Sequence, residues 1–240
     1  MNEPIVIENL TKYYNKFLAL DNLCLRVEGK EKVGLLGPNG AGKSTTLKIM
    51  CGLIRASSGK AYIDGFDVAK EPEKALSRIG AIIETPEFYP FLTPKETLSY
   101  FGRLRGMSGE ELKRRIKEVI ALVGLEKWLT VKIEKFSRGM KQRLALAQTL
   151  LHEPSVLILD EPALGLDPRA VIEFRQIITE AGREKAVFFA SHQLSEVAQI
   201  CNRVAIIDHG QLLAYDSIEE LEKKYNSLEN AYLELTGVPL

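Results

Sequence analysis

The sequence predicts an α/β protein built on a sheet that is covered by helices on both faces. Short apolar runs at 33–36, 156–159 and 186–190 are typical of strands that are buried on both sides. Segments with helix-start signals separate these runs, as expected for parallel strands joined by helices. With 240 residues, 45% of them apolar, the chain can bury a substantial core.

The first third of the chain is predicted to be rich in β structure. Strands are expected at 5–10, 23–27, 33–36, 59–65 and 79–83. The aromatic residues Tyr13 and Tyr14 are predicted to lie in the connection between the first two strands. A ring there could stack on a purine, although partial burial is the alternative explanation.

A helical segment interrupts this pattern from about residue 85 to residue 135. Thr93, Pro94 and Glu96 have the spacing of a capping box, and Ser108 with Glu111 repeats that spacing. One predicted helical face then carries the apolar residues Leu112, Ile116, Val119, Ile120 and Val123. We interpret this stripe as core, and 85–135 as a helical insertion.

The α/β pattern returns after the insertion. Helices are predicted to begin at Ser137, Asp167 and Ser217, the last with a further capping box. Strands are predicted at 156–160, 186–190, 203–207 and 211–215. We therefore predict a single domain over 1–240, in which 1–84 and 136–240 form the core and the β part and 85–135 forms the helical part.

Charge and cysteine content limit the classes of function. Basic and acidic residues number 32 each, so no overall positive field favours nucleic acid, and no nucleic-acid partner is expected. Cys24, Cys51 and Cys201 lie far apart in apolar sequence and are predicted to be buried thiols in a reducing compartment. The sequence shows no secretory leader and no apolar run long enough to span a bilayer, so we expect a cytoplasmic chain.

The strongest chemical signal is a glycine-rich stretch directly after the run 33–36. It matches G-x-x-x-x-G-K-[ST] in full with Gly37, Pro38, Asn39, Gly40, Ala41, Gly42, Lys43, Ser44 and Thr45. In such a loop the backbone N–H groups and the following helix N-terminus form a cradle for phosphates. Lys43 is expected to reach the β- and γ-phosphates and Ser44 to ligate Mg²⁺. The strand, loop and helix order predicts the sheet of a P-loop NTPase.

A second group of residues narrows the chemistry to nucleotide hydrolysis. The buried strand 156–160 ends in Asp160 and is followed by Glu161, which is the form of a Walker B strand. Asp160 would hold Mg²⁺, and Glu161 would polarise the water that attacks the γ-phosphate. His192 follows the strand 186–190 at the same edge of the sheet. It could donate a hydrogen bond to the γ-phosphate, or it could be a solvated loop histidine.

At this point the chain resembles the ATP-binding subunits of ABC transporters over essentially its whole length. Phe136, Ser137, Arg138, Gly139 and Met140 lie where that family has its signature sequence, ahead of the Walker B strand. Ser137 and Gly139 match the signature, whereas the other three depart from its commonest form. The resemblance implies that residues 137–140 bind the γ-phosphate of ATP held by the other subunit.

The resemblance also implies roles for single residues. Tyr14 is similar to the aromatic residue that stacks on adenine, and Tyr13 is a second candidate. Asp167 is similar to the aspartate that links the two nucleotide sites across the dimer, and His192 to the switch histidine. Glu84 stands where the family usually has a glutamine that reaches Mg²⁺; a glutamate can still ligate Mg²⁺ but adds a negative charge near the phosphates.

Residues 84–90 resemble the branch of bacterial exporters that handles peptide antibiotics and related drugs. Nearby, Phe88, Tyr89 and Phe91 could line a groove for a short helix of a membrane subunit, or they could belong to the helical core.

The resemblance implies a P-loop NTPase sheet with an N-terminal antiparallel β subdomain and the inserted α-helical subdomain. It also implies an ATPase that uses ATP and Mg²⁺ and pairs with a second copy or a paralogous subunit. An integral-membrane permease on a separate chain would then hold it at the inner face of the cell membrane. The alternative is a soluble ABC-type ATPase that acts on a ribosome or a protein-assembly complex.

Overall fold

The computed structural model describes residues 3–237, and the rest of the predicted domain, 1–2 and 238–240, lies outside the described residues. The fold is α/β, as predicted. The strands are β1 (Ile5–Tyr14), β2 (Phe17–Val27), β3 (Lys32–Leu36), β4 (Ser58–Ile63), β5 (Phe66–Asp67), β6 (Ile79–Ile82), β7 (Val156–Asp160), β8 (Ala186–Ser191), β9 (Arg203–Asp208) and β10 (Gln211–Ser217). The α-helices are α1 (Lys43–Met50), α2 (Pro72–Ser77), α3 (Pro94–Leu104), α4 (Gly109–Leu122), α5 (Arg138–Leu150), α6 (Pro168–Ala181), α7 (Leu194–Ile200), α8 (Ile218–Tyr225) and α9 (Leu228–Thr236).

The larger sheet has six strands in the order β10, β9, β3, β8, β7, β6. The strands from β9 to β6 are parallel, and β10 pairs antiparallel with β9. Side chains of β7 alternate between two apolar clusters: Val156 and Ile158 face α1 and the small sheet, whereas Leu157 and Leu159 face the other helices. Because the parallel strands share one direction, the carboxyl ends of β3, β6, β7 and β8 meet at one edge.

The smaller sheet is antiparallel, in the order β2, β1, β4, β5, and its first two strands are longer than predicted. Asn9 and Asn22 have φ values of +47° and +50° and lie at shifts in the register of β1 and β2. Such bulges interrupt the alternation of side chains, so the pattern did not show the outer halves of these strands. The predicted position of Tyr13 and Tyr14 was therefore wrong, because both lie at the end of β1.

The segment 85–135 forms α3, α4 and two short 3₁₀ helices, Glu126–Trp128 and Ile133–Lys135. The predicted apolar stripe of α4 is buried, and it packs with α5 in one of the two core clusters. The capping box at the start of α3 is confirmed: Thr93 Oγ1 accepts from the Glu96 N–H at 3.2 Å, and Glu96 Oε2 accepts from the Thr93 N–H at 2.8 Å.

The predicted capping box at Ser108 is wrong. Ser108 precedes α4, but its side chain accepts no capping hydrogen bond, and Gly109 has a φ of +60°. This left-handed residue changes the direction in which the chain enters the helix. At α8 half of the predicted box forms, because Ser217 Oγ accepts from the Glu220 N–H while the Glu220 carboxylate pairs with Lys223.

The predicted burial of the cysteines is confirmed for two residues and wrong for the third. Cys51 and Cys201 are buried, and burial raises the pKa of the Cys51 thiol to about 12. Cys24 is exposed on β2 and donates to Asn9 Oδ1 at 3.2 Å. Its apolar neighbours Leu23 and Leu25 are buried on the opposite face, because successive side chains of a strand alternate.

Within residues 3–237, no helix combines the length and the apolar composition that crossing a membrane requires.

Candidate nucleotide-binding site

The predicted phosphate loop joins β3 to α1 and is packed closely against other strands. Gly42 has a φ of +106°, and a Cβ at this position would lie 2.8 Å from the carbonyl oxygen of Ala19. A Cβ on Gly37 would lie 2.3 Å from the carbonyl oxygen of Ile207. Both positions therefore exclude a side chain, and β2 and β9 help to hold the conformation of the loop.

The first turn of α1 is arranged to receive an anion. Gly42 precedes the helix without a side-chain cap, and the first turn contains no acidic residue. The ammonium group of the buried Lys43 folds back and donates to the carbonyl oxygens of Gly37 at 2.7 Å and Pro38 at 3.0 Å. Burial lowers the pKa of Lys43, and the charges of Glu161 and Asp160 oppose that shift. Backbone N–H groups at a helix N-terminus and an adjacent ammonium group are typical of phosphate sites.

Asp160, the last residue of β7, carries a buried carboxylate that is not fully hydrogen-bonded. Its Oδ1 is buried and has no hydrogen-bond partner among the residues that the structure describes. Burial raises the pKa of Asp160, and the nearby Ser44 hydroxyl and Lys43 ammonium oppose that rise. A buried carboxylate oxygen without a partner is costly, so this position fits a cation. The hydroxyl and carboxylate oxygens here are ligands that suit Mg²⁺, which binds few protein groups alongside substrate phosphates.

Glu161 and His192 are brought together at the same edge. Glu161 has a φ of +43°, and its N–H donates to the carbonyl oxygen of Ala190 at 2.9 Å. Its Oε2 lies 2.8 Å from Nδ1 of His192, which follows β8. The carboxylate is thereby held beside an imidazole that can carry or relay a proton.

Two adjoining clefts meet at these residues. The first, of about 270 Å³, is lined by Ser44, Glu84, Thr85, Arg138, Gln142, Asp160, Glu161 and Leu164. The second, of about 230 Å³, is lined by Tyr14, Phe17, Ala19, Asn39, Gly40, Gly42, Lys43, Ser44, Thr45 and Glu161. Ser44 and Glu161 line both clefts. The positions predicted for Mg²⁺ and the phosphates are therefore continuous with the position of Glu161, the residue predicted to polarise the attacking water.

The second cleft contains Tyr14, and Tyr13 is not among its lining residues. Phe17, whose residue surface is 63% exposed, lines the same cleft and was not predicted. Tyr14 pairs with Phe17 across the short turn between β1 and β2. Phe17 could have been predicted from the sequence, because it and Tyr14 are aromatic residues separated by only two residues.

Glu84 follows Ile83 at the end of β6 with a φ of +64° and lines the first cleft beside Ser44 and Asp160. Its Oε1 lies 2.5 Å from Nζ of Lys48, a residue that the sequence reasoning missed. This hydrogen bond lowers the pKa of Glu84 and raises the pKa of Lys48. Lys48 could have been predicted to lie near the site, because it follows Ser44 by four residues and so lies on the same face of the helix.

Most residues of the predicted signature segment, unlike those of the phosphate loop, do not line the clefts of their own chain. Ser137 Oγ accepts from the Met140 N–H at 3.3 Å, so that N–H is engaged rather than available to an anion. Arg138 lines the first cleft, and its guanidinium lies so close to Gly165 that a Cβ there would be 2.3 Å from Nη1. Asp167 Oδ1 accepts from the Ala170 N–H at 3.0 Å and caps α6 as predicted. Ser137, Gly139, Met140 and Asp167 do not line either cleft of their own chain.

Comparison with known proteins decides the family. Residues 20–164 match the family model described as "ABC transporter". The chain belongs to this family.

Named relatives and solved structures agree with this assignment. The chain is 40% identical over 230 residues to the bacitracin transport ATP-binding protein BcrA of Bacillus licheniformis, covering 94% of this chain and 74% of that protein. A solved ATP-binding subunit of an ABC transporter matches with a TM-score of 0.86 and 31% identity, covering 96% of this chain and 98% of that one. A dimeric ATP-binding cassette in a post-hydrolysis state, bound to ADP and phosphate, matches with a TM-score of 0.78 and 26% identity, covering 89% of this chain and 98% of that one.

This ABC protein is therefore an ATP-binding and ATP-hydrolysing subunit, and the predicted family, fold class and enzyme class are confirmed. The relatives favour the transporter interpretation over the soluble alternative. ATP-binding subunits of this family work as dimers with transporter partners.

Proposed function

We propose that the two clefts together bind MgATP, with the triphosphate on the loop 37–45 and the base near Tyr14. The single observation that carries this proposal is the buried Oδ1 of Asp160, which lacks a partner beside the phosphate loop. Ser44, Asp160 and Glu84 would hold Mg²⁺, which supplies charge neutralisation on the phosphates when it is bound. Tyr14, with Phe17 beside it, would stack on the adenine ring.

Glu161 is the proposed general base. Its carboxylate accepts a proton from the water that attacks the γ-phosphate, and the contact with His192 Nδ1 keeps it oriented. Because a carboxylate only accepts, Nδ1–H of His192 is the donor to Glu161, and the ring would donate from Nε2 to the γ-phosphate as well only in its doubly protonated form. Lys43 provides a positive charge at the phosphates once its bonds to the loop carbonyls are exchanged.

A second protomer, either another copy of this chain or a paralogue, would complete each site. Ser137, Gly139 and Met140 do not line the clefts of their own chain, and Ser137 and Arg138 are exposed at the start of α5. In the closed dimer this helix N-terminus faces the γ-phosphate of the partner's ATP, and Asp167 links the two sites. ATP bridges the closed form and ADP does not, so hydrolysis reopens the dimer.

A separate integral-membrane permease is the proposed partner that holds the chain at the cytoplasmic face of the membrane. Tyr89 and Phe91 are 60% and 61% exposed with ring centroids 5.6 Å apart, whereas Phe88 is partly buried against the core cluster that includes α3, α4 and one face of the larger sheet. This contrast supports a groove for a short helix at Tyr89 and Phe91. We retain 85–135 as the helical unit that carries this surface, and 1–84 with 136–240 as the ATP-binding unit.

For the transported molecule we propose a peptide antibiotic or a related drug, moved outward. The similarity to a bacitracin transport protein and the glutamate at position 84 support this assignment.

The test is to express the chain with the membrane protein encoded beside its gene and to reconstitute the complex in lipid vesicles. We expect copurification and ATP hydrolysis that bacitracin stimulates. Tyr89→Ala should reduce copurification, because it removes an exposed ring from the groove. Tyr13→Ala, which removes an exposed ring at the end of β1, should not. Equal copurification of both variants would reject the groove, and a chain that never associates with the membrane protein would reject the transporter proposal.

A further inference from the structure

The ion pair between Lys48 and Glu84 connects two elements of the proposed metal site. Lys48 lies on α1 four residues after Ser44, so the two side chains share one face of the helix. Glu84 lies beyond β6, and its Oε1 is 2.5 Å from Lys48 Nζ. The pair therefore ties the helix of one proposed Mg²⁺ ligand to the loop of another.

Stability does not account for this pair. The side chains of Lys48 and Glu84 are 30% and 67% exposed. Ion pairs with this much exposure contribute little to the free energy of unfolding. We therefore relate the pair to the first cleft, which Glu84 lines.

The hydrogen bonding of Glu84 leaves one carboxylate oxygen available. Oε1 accepts from Lys48, while Oε2 has no partner among the described residues. A carboxylate held through one oxygen can present the other to a cation in a defined direction. Ligating carboxylates in proteins are commonly oriented by such outer hydrogen bonds.

Lys48 also balances charge in the first cleft. Glu84, Asp160 and Glu161 bring three carboxylates to the place where a triphosphate would bind. The ammonium group of Lys48 lies 2.5 Å from Glu84 Oε1 and so offsets the charge of one of these carboxylates. A glutamate here repels an incoming polyphosphate unless a neighbouring cation compensates its charge.

We propose that Lys48 is a positioning residue for ATP and Mg²⁺ binding: it holds Glu84 through Oε1, leaves Oε2 to the metal, and offsets the charge that the glutamate adds. This inference rests on the proposed function, in which Glu84 contacts Mg²⁺.

The experiment measures metal affinity rather than turnover. The full-length chain is saturated with a non-hydrolysable ATP analogue, and Mn²⁺ binding is followed by electron paramagnetic resonance. Lys48→Met should weaken Mn²⁺ binding by about 10-fold to 100-fold, the usual loss when an outer partner of a ligand is removed. Lys48→Arg, which keeps the pair, should retain most of the affinity. Lys30→Met removes the lysine of the exposed Lys30–Glu184 pair and should change nothing.

A double-mutant cycle identifies the route by which Lys48 acts. In a Glu84→Gln background, Lys48→Met should have little further effect on Mn²⁺ affinity. Without metal, in EDTA, Lys48→Met should weaken ATP binding and Glu84→Gln should strengthen it. Thermal unfolding of each variant checks that the fold is kept.

The outcomes separate this inference from the function on which it rests. If Glu84→Gln lowers Mn²⁺ affinity but Lys48→Met does not, the inference is wrong and the metal role of Glu84 stands. If Lys48→Met has the same effect in both backgrounds, Lys48 acts on the nucleotide directly and the inference is again wrong. If Glu84→Gln leaves Mn²⁺ affinity unchanged, Glu84 is not a metal ligand, and both the inference and that part of the proposed function fail.

Discussion

The two halves of the proposed ATP site differ in how far the chain itself accounts for them. At the phosphate loop, Gly37 and Gly42 are required by contacts within the chain, because a Cβ on either would collide with a backbone carbonyl oxygen. At the signature segment, a Cβ on Gly139 would meet Ala170 Cβ at 3.5 Å and Ser137 Oγ at 4.0 Å, which are ordinary contact distances. Contacts within the chain therefore explain Gly37 and Gly42 and do not explain Gly139.

Hydrogen bonding shows the same contrast. The ammonium group of Lys43 is buried and bonded to two carbonyl oxygens of the loop. Ser137 and Arg138 are exposed, and within residues 3–237 the hydrogen bond of the Ser137 hydroxyl is the one that caps its own helix. A packed half and an open half of one site are expected if the second is completed by another protomer.

The largest effect that tests this comparison is expected from Glu161→Gln. ATP binding should persist, because the loop and Asp160 are unchanged. The rate of ATP hydrolysis should fall by about 10²-fold to 10⁴-fold, the usual contribution of a general base. Steady-state ATPase assays measure the loss, and light scattering with MgATP should show a stable dimer.

Two results would contradict the proposal. A hydrolysis rate close to that of the wild type would remove Glu161 as the base. A variant that stays monomeric with MgATP, and that finds no paralogous partner, would remove the shared site.

An intermediate effect is expected from Gly42→Ala. Gly42 has a φ of +106°, and a Cβ added there would lie 2.8 Å from the carbonyl oxygen of Ala19. A side chain should cost about 1–3 kcal/mol of unfolding free energy and displace the start of α1, so ATP affinity should fall strongly. Urea unfolding and nucleotide titration measure the two quantities.

Gly29→Ala is the matched control, because Gly29 has a φ of +52° and nothing lies within 4 Å of an added Cβ. This variant should have a lower free energy of unfolding, because alanine disfavours a positive φ, but it should keep its affinity for ATP. An unchanged ATP affinity in Gly42→Ala would contradict the claim that ATP binding requires a glycine at this position of the loop.

The smallest effect on the single chain is expected from Gly139→Ala. Because there is room for the methyl group and the residue lies in the first turn of α5, stability should be unchanged or rise by up to about 1 kcal/mol. ATP binding by the monomer should be normal. In the Glu161→Gln background, however, the MgATP-dependent dimer should weaken, because the methyl group faces the partner. Dimerisation equal to that of the parent would show that Gly139 lies outside the interface.

Much of the site could be predicted because its signals are local in sequence. The loop 37–45 and the Asp160–Glu161 pair each follow an apolar run, and parallel strands bring such ends to one edge. Phe17 and Lys48 were missed because their relevance depends on partners across a hairpin or on another element, Tyr14 and Glu84. Tyr13 and Tyr14 were assigned to a loop because bulges at Asn9 and Asn22 hid the length of β1 and β2.

The sequence by itself determined the strands of the larger sheet, the phosphate loop and the family, since these depend on patterns between near neighbours and on the resemblance they carry. Only the tertiary structure decided that Cys24 is exposed, that Glu84 is held by Lys48, and that Gly139 has room beside it. The physical reason is that exposure, ion pairing and free space depend on which distant segments pack together, and no local pattern records that.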